Sequence, residues 1–250
     1  MEWSHIAAVG IGILVGFVNT LAGSGSLVTL PFFLALGLSP AEANATNRVG
    51  VLLQTLVGSA TLMRRTGIPL TGTGLMIAST TAGSLVGAWL ALGMDAQAMR
   101  YMIGGLMIVM LFPVLMSPEK WLREEDDLSQ KPNPWLIGVI FFVLGIYGGF
   151  IQAGVGIFLL SAMVLVGRLR LARANMLKNI IVFIFTVPAL ALFIYHGQVV
   201  WVPGLIMAGG QMIGAYVAAR FAAQSRFANQ LTRVLLVLML VLGAVRTFWQ

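Results

Sequence analysis

Residues 6 to 38 read IAAVGIGILVGFVNTLAGSGSLVTLPFFLALGL, an apolar run of 33 residues interrupted by Gly23-Ser24-Gly25. A membrane-spanning helix needs about 20 apolar residues, so this run is too long for one crossing and too short for two. A glycine pair inside it invites a break, because glycine costs a helix interior backbone entropy and admits left-handed conformations. Residues 135 to 167 repeat the design, with Gly154-Val155-Gly156 in the middle. Each run is expected to be broken, either as a re-entrant hairpin of two half-helices or as a long kinked span.

The remaining apolar segments cover 44 to 63, 69 to 93, 98 to 117, 174 to 195, 199 to 221 and 229 to 249. The chain of 250 residues is 59% hydrophobic and 9% charged, with mean hydropathy +0.94; soluble domains hold about 45–50% apolar and about 25% charged residues. The fold class is therefore an all-α polytopic membrane protein of about eight segments, with no room for a globular domain. Residues 1 to 117 form an N-terminal repeat, 118 to 134 a charged cytoplasmic linker and 135 to 250 a C-terminal repeat. The stretch from Ser117 to Pro134 holds five of the eight acids.

The duplication shows on sliding one half over the other. At an offset of 131, Ala22, Gly23, Gly25, Asn44, Thr55 and Ala60 meet Ala153, Gly154, Gly156, Asn175, Thr186 and Ala191; at 127, Gly83 and Gly87 meet Gly210 and Gly214. Charge then fixes topology. Eight simple crossings would put six Lys/Arg on one side and nine on the other, whereas returning segments one and five to their own side gives twelve against three. The second arrangement obeys the positive-inside rule. Each half then crosses an odd number of times, so the halves are inverted, with both termini periplasmic. Trp3, Trp89, Trp121, Trp135, Trp201 and Trp249 lie near segment ends, where interfacial rings belong.

The net charge of +7 comes from scattered topology signals and does not point to nucleic acid. The N-terminus, Met1-Glu2-Trp3-Ser4-His5, has no basic n-region, so no cleaved signal peptide is expected. Zero cysteines exclude thiolate metal sites and cysteine nucleophiles.

Two constellations could carry chemistry. The first is Ser24, Gly25 and Ser26 with Gln152, Gly154 and Gly156, flanked by Asn19 and Thr20. A broken buried helix leaves N–H groups and a positive dipole end for an anion, and glycine lets the ligand approach the backbone. The second is Asn44, Thr46, Asn47 and Arg48 with Asn175, Lys178 and Asn179, which gives each half one cation and two amides. Intramembrane charges are expensive and mark function, so converging cations suggest an anion site. Gly83, Gly87, Gly210, Gln211 and Gly214 read as helix-packing faces, and His196 as a solvated turn residue.

The broken first segment, the Ala45-Thr46-Asn47-Arg48 run, the Lys178-Asn179 pair and the eight-segment duplication together resemble the TauE/SafE family of sulfite and organosulfonate exporters, over nearly the whole chain. The family's glycine-rich signature falls on Gly23, Gly25, Gly154 and Gly156, with Ser24, Ser26 and Val155 where more glycine is usual. The resemblance implies a transporter of sulfite, thiosulfate, sulfoacetate or related anions in a bacterial inner membrane.

The expected function is secondary transport of such an anion by alternating access between the inverted repeats, with an anion channel as alternative. A serine hydrolase pairing Ser24 with His196 is the less favoured alternative, because Ala22-Gly23-Ser24-Gly25 misses the Gly-x-Ser-Gly pattern. No Walker motif is present, so transport is gradient-driven or facilitated. No cofactor is expected; coupling to a proton or sodium gradient stays open. The expected partners are a small anionic substrate and the lipid bilayer, with a homodimer allowed and no nucleic acid.

Overall fold

The structure is a computed structural model that describes residues 2–66, 71–115 and 133–221. The segment expected at 229 to 249, nearly all of the linker, and the side taken by the C-terminus lie outside the described residues.

Among the described residues there are nine α-helices: α1 (Glu2–Ala22), α2 (Ser26–Ala35), α3 (Pro40–Thr66), α4 (Gly74–Leu92), α5 (Ala96–Leu115), α6 (Pro134–Phe150), α7 (Val155–Leu165), α8 (Leu171–Tyr195) and α9 (Trp201–Phe221). Both long runs break where the glycines stand, and the chain folds back on itself at each break. In the first, Gly25 comes so close to α1 that a Cβ there would lie 2.6 Å from the Val15 carbonyl oxygen. In the second, the rings of Tyr147 and Phe158 pack edge to face at 5.4 Å; eleven residues of straight helix would separate them by about 16 Å. The arms are unequal. Helix α1 has 21 residues and α2 only 10, so α1, at about 32 Å, matches a full hydrocarbon thickness and α2 about half of one. In the first hairpin a full-length arm is thus followed by a short return.

Local chemistry starts the helices. Ser39 and Glu42 form a capping box at α3: the Ser39 N–H donates to Glu42 Oε2 at 2.8 Å and the Glu42 N–H to Ser39 Oγ at 3.3 Å. These bonds hold the Glu42 carboxyl below its ordinary pKa. Helix α6 starts with Pro134 in its first turn, capped by Asn133, whose Oδ1 accepts from the Trp135 N–H at 3.0 Å.

The two halves interlock by exchanging partners. Helix α1 packs on α9 and α6 on α4, and the same pattern recurs in both contacts. A Cβ on Gly83 would meet the Phe142 carbonyl oxygen at 2.1 Å and one on Gly87 the Ile146 carbonyl oxygen at 1.9 Å; on Gly210 and Gly214 the corresponding contacts are to Val9 and Ile13, at 2.4 and 1.9 Å. From the facing side, Gly145 and Gly149 abut Thr80 and Ser84, as Gly12 and Gly16 abut Met207 and Gln211. Backbones this close maximise dispersion where lipid gives no hydrophobic drive.

These contacts also give directions. Thr46 meets Gly204 and Val200, Gly50 meets Gln211, and Arg65 Nη1 donates to the Arg220 carbonyl at 3.2 Å, so α3 and α9 run parallel. Likewise Arg173 Nη2 donates to the Thr71 carbonyl at 2.9 Å and Ser84 Oγ to the Phe185 carbonyl at 3.1 Å, so α4 and α8 run parallel. The short turn at 196–200 reverses the chain between α8 and α9. One end of the bundle therefore gathers Arg64, Arg65, Arg168, Arg170, Arg173 and Arg220. Trp201, 48% exposed, opens α9 at the opposite end, and Trp135, 78% exposed, opens α6. Helices α1, α4, α8 and α9 are long and apolar enough to cross a membrane, whereas polar α3 lies between α8 and α9. Large apolar side chains such as Ile6, Val143, Leu205 and Ile213 face outward, as lipid contact requires.

Candidate functional site

The two breaks touch at the centre. The Gly156 N–H donates to the Gly23 carbonyl at 3.1 Å, and a Cβ on Gly156 would lie 2.3 Å from the Gly23 Cα. No larger residue fits at this contact. The turns are left-handed at Gly23 (φ 80°), Gly154 (φ 71°) and, unusually for a side-chain-bearing residue, Gln152 (φ 60°). Non-glycine residues held there cost free energy and concentrate at functional sites.

Unpaired N–H groups were the expected attraction of these breaks, and two of them are satisfied internally. Asn19 Oδ1 accepts from the Gly25 N–H at 3.2 Å, and Gly23 serves Gly156. An unpaired N–H in a medium without water costs several kcal/mol, of order 2–7 by transfer, which explains why the chain supplies its own acceptors.

Both cations are buried, Arg48 at 0% and Lys178 at 1% exposure, and each grips the opposite half. Lys178 Nζ donates to the carbonyls of Asn19 and Thr20, in the last turn of α1, at 3.1 and 3.0 Å, and to Asn175 Oδ1 at 2.8 Å. Arg48 donates to the carbonyls of Gly148, Gly149 and Phe150, at the end of α6, at 3.2, 2.5 and 3.3 Å, with its guanidinium 4.6 Å from the Phe193 ring centroid. A helix C-terminus carries partial negative charge, so a cation there is stabilising. Neither cation snorkels to the membrane surface. Among the described residues no Asp or Glu is buried, which leaves the interior positive.

A small cavity lies beside Lys178, with room for roughly one water molecule. Of the residues singled out from the sequence, it is lined by Ser26, Gln152, Gly156, Lys178 and Asn179. Val51 and Thr55 from α3 and Val182 from α8 place it near the middle of both helices. Ser24, Gly25, Asn44, Thr46, Asn47, Arg48, Gly154 and Asn175 are not in its wall. Several of these support it: Asn175 holds Lys178, and Asn44 Nδ2 donates to the Phe150 carbonyl at 2.8 Å beside Arg48. Thr29 Oγ1 donates to Asn47 Oδ1, while Thr46 Oγ1 accepts from the Val200 N–H at 3.0 Å.

Asn19 and Thr55 line the cavity and were not singled out as ligands. Thr55 had a signal: it aligns in the repeat with Thr186, whose Oγ1 accepts from Gln152 Nε2 at 2.5 Å. The Ser24 and His196 pairing does not form. Ser24 Oγ is buried without a partner, whereas His196 is exposed at the end of α8 with Nδ1 2.8 Å from the Leu192 carbonyl.

Comparison with known proteins gives a consistent assignment. The family described as "Sulfite exporter TauE/SafE" matches residues 8–246. The "Probable membrane transporter protein YfcA" of Escherichia coli (strain K12) is 31% identical over 210 residues, 84% of this chain and 77% of that protein. A "Probable membrane transporter protein" of Haemophilus influenzae is 26% identical over 84% of this chain and 82% of its own, and the "Probable membrane transporter protein ORF9" of Sinorhizobium sp 27% identical over 93% and 88%. No solved structure matches.

Proposed function

Because this chain belongs to the TauE/SafE family, and is a multi-pass membrane transporter rather than an enzyme, we propose that it exports a small sulfur-containing oxyanion, sulfite or an organosulfonate, by alternating access between two inverted repeats. The observation that carries this reading is the cavity at the touching hairpin tips, walled by Lys178 and amide side chains, with no buried carboxylate among the described residues. Oxyanions need such hydrogen-bond donors, and sites at the midplane beside discontinuous helices are where secondary transporters bind.

The inverted relation is supported by helix direction. Helices α3 and α8 are repeat mates; α3 runs parallel to α9, and α9 runs opposite to α8, so the mates run opposite to each other. The positive-inside rule assigns the arginine-rich end to the cytoplasm of a bacterial inner membrane. The N-terminus, at the far end of α1, is then periplasmic.

A cavity with room for about one water is too small for a sulfonate, so this conformation is a closed one. Opening requires the tips at Gly23 and Gly156 to part. Lys178 joins the cavity wall to α1 and Arg48 joins α3 to α6, so each cation couples one half to the other half's hairpin. A negative membrane potential itself favours outward movement of an anion, by about 2.3 kcal/mol per charge per 100 mV. Coupling to protons or sodium would add to that.

The test is thermal stabilisation of the purified protein by sulfite, thiosulfate, sulfoacetate, taurine, acetate and phosphate, since a ligand selective for the folded state raises apparent stability. A shift with a sulfur oxyanion that is lost in Lys178→Ala is the expected result. A shift with carboxylate or phosphate alone would overturn the substrate class.

A further inference from the structure

Two glutamines are buried at helix contacts outside the cavity wall. Gln54 on α3 and Gln211 on α9 are both 0% exposed, and neither amide makes a hydrogen bond through its oxygen or its nitrogen. Four unpaired polar atoms in a membrane interior represent a large desolvation cost. Gln211 has displaced any side chain opposite it: a Cβ on Gly50 would lie 2.5 Å from its Oε1 and 3.0 Å from its Nε2. Gln54 is one turn along α3 from Gly50, on the same face, roughly 6 Å away by helix geometry. Both sit near the middle of their helices. Val51 and Thr55, either side of Gln54 on α3, are cavity-lining residues, so Gln54 adjoins the cavity without belonging to its wall, and the Gln211 amide lies against Gly50 one turn before it.

Buried glutamines in membrane bundles commonly act as interhelical glue, each amide bonded across the interface. Here neither amide is bonded, so the pair gains nothing as glue in this conformation. Their chemistry can serve a ligand, because each amide nitrogen offers two donors and each oxygen an acceptor. The sign of the ligand follows from the surroundings. Arg48 and Lys178 are buried with no buried carboxylate among the described residues, so a cation would be repelled and an anion attracted.

We propose that Gln54 and Gln211 form a second oxyanion subsite beside the Lys178 cavity, donating through both Nε2 groups to sulfite or sulfonate oxygens once the cavity opens. This rests on the transport reading and gives the substrate a second polar station at the same depth.

The experiment compares wild type with Gln54→Met and Gln211→Met, near-isosteric changes that remove the amides. Apparent Tm is measured without anion, and affinity is taken from titrations with sulfite and with sulfoacetate. Unbonded amides predict variants at least as stable as wild type, with sulfite or sulfoacetate Kd raised tenfold or more. Affinities within twofold of wild type overturn the subsite, and a lowered Tm with unchanged affinity assigns the pair to helix packing instead. Met variants that fail to fold also count against it. If wild type itself responds to neither anion, the transport reading falls and takes the subsite with it; a responsive wild type with unaltered variants removes the subsite alone.

Discussion

Replacing Lys178 by methionine keeps most of the side chain's length and removes the one cation that the described residues place in the cavity wall. Its ammonium uses all three N–H groups, on Asn19, Thr20 and Asn175, so an anion must take over at least one of them. A hydrogen bond to a charged group contributes about 1.5–3 kcal/mol, and every 1.4 kcal/mol is tenfold in affinity. Kd for sulfite should therefore rise by about 10- to 150-fold. Stability without ligand should change much less. The last turn of α1 loses a cation bound at its C-terminal carbonyls, up to about 2 kcal/mol in a partly buried setting, but the protein no longer holds a desolvated charge. The assay is a thermal-shift titration with sulfite in detergent, run beside Arg48→Met. Arg48 lies outside the cavity wall, so its loss should weaken affinity less than loss of Lys178 does. A well-folded Lys178→Met protein with Kd within twofold of wild type would refute the assignment of Lys178 to the substrate.

Other expectations are as direct. Gly156→Ala forces a methyl group to 2.3 Å from the Gly23 Cα and should cost about 1–3 kcal/mol as overpacking, read as a lower Tm; Gly209→Ala, which meets nothing within 4 Å inside α9, should hold Tm or raise it slightly. Ser39→Ala removes half of the capping box and should cost about 1 kcal/mol in chemical denaturation. Because Glu42 has a depressed carboxyl pKa when folded, its contribution is present above the ordinary glutamate value and is lost as pH falls through the folded one; a Tm series across acid pH should show Glu42→Gln converging with wild type at the low end. Since the chain has no native cysteine, His196→Cys should be labelled by an impermeant maleimide in intact cells and Arg64→Cys only after permeabilisation. The reverse pattern would invert the topology.

Much of the architecture is legible in the sequence because membrane helices obey two strong rules, apolar length and full backbone satisfaction. The breaks at Gly23-Ser24-Gly25 and Gly154-Val155-Gly156 follow from a run too long for one span, and each is where the chain turns back. The unequal arms do not follow, because hydropathy counts residues and is blind to where a helix contacts its neighbours. The close packing at Gly83, Gly87, Gly210 and Gly214 follows from small-residue spacing; that α1 pairs with α9 and α6 with α4 does not, since partner choice is a tertiary fact. The site was harder to read. Lys178 and Arg48 stand out as intramembrane charges, but only the structure separates them: Lys178 reaches the cavity, while Arg48 is held by the end of α6 and the face of Phe193. In the sequence Gln54 carries no signal and Gln211 falls on a helix-packing face, and their lack of any hydrogen-bond partner is visible only once the helices are assembled.

The most direct test of the account is flux through the purified protein. Proteoliposomes loaded with sulfite or sulfoacetate, with an imposed potential negative inside, should release the anion at a saturable rate that is strongly reduced by Lys178→Met. Release no faster than from protein-free liposomes for every sulfur oxyanion tried, from a protein shown to be folded, would contradict it.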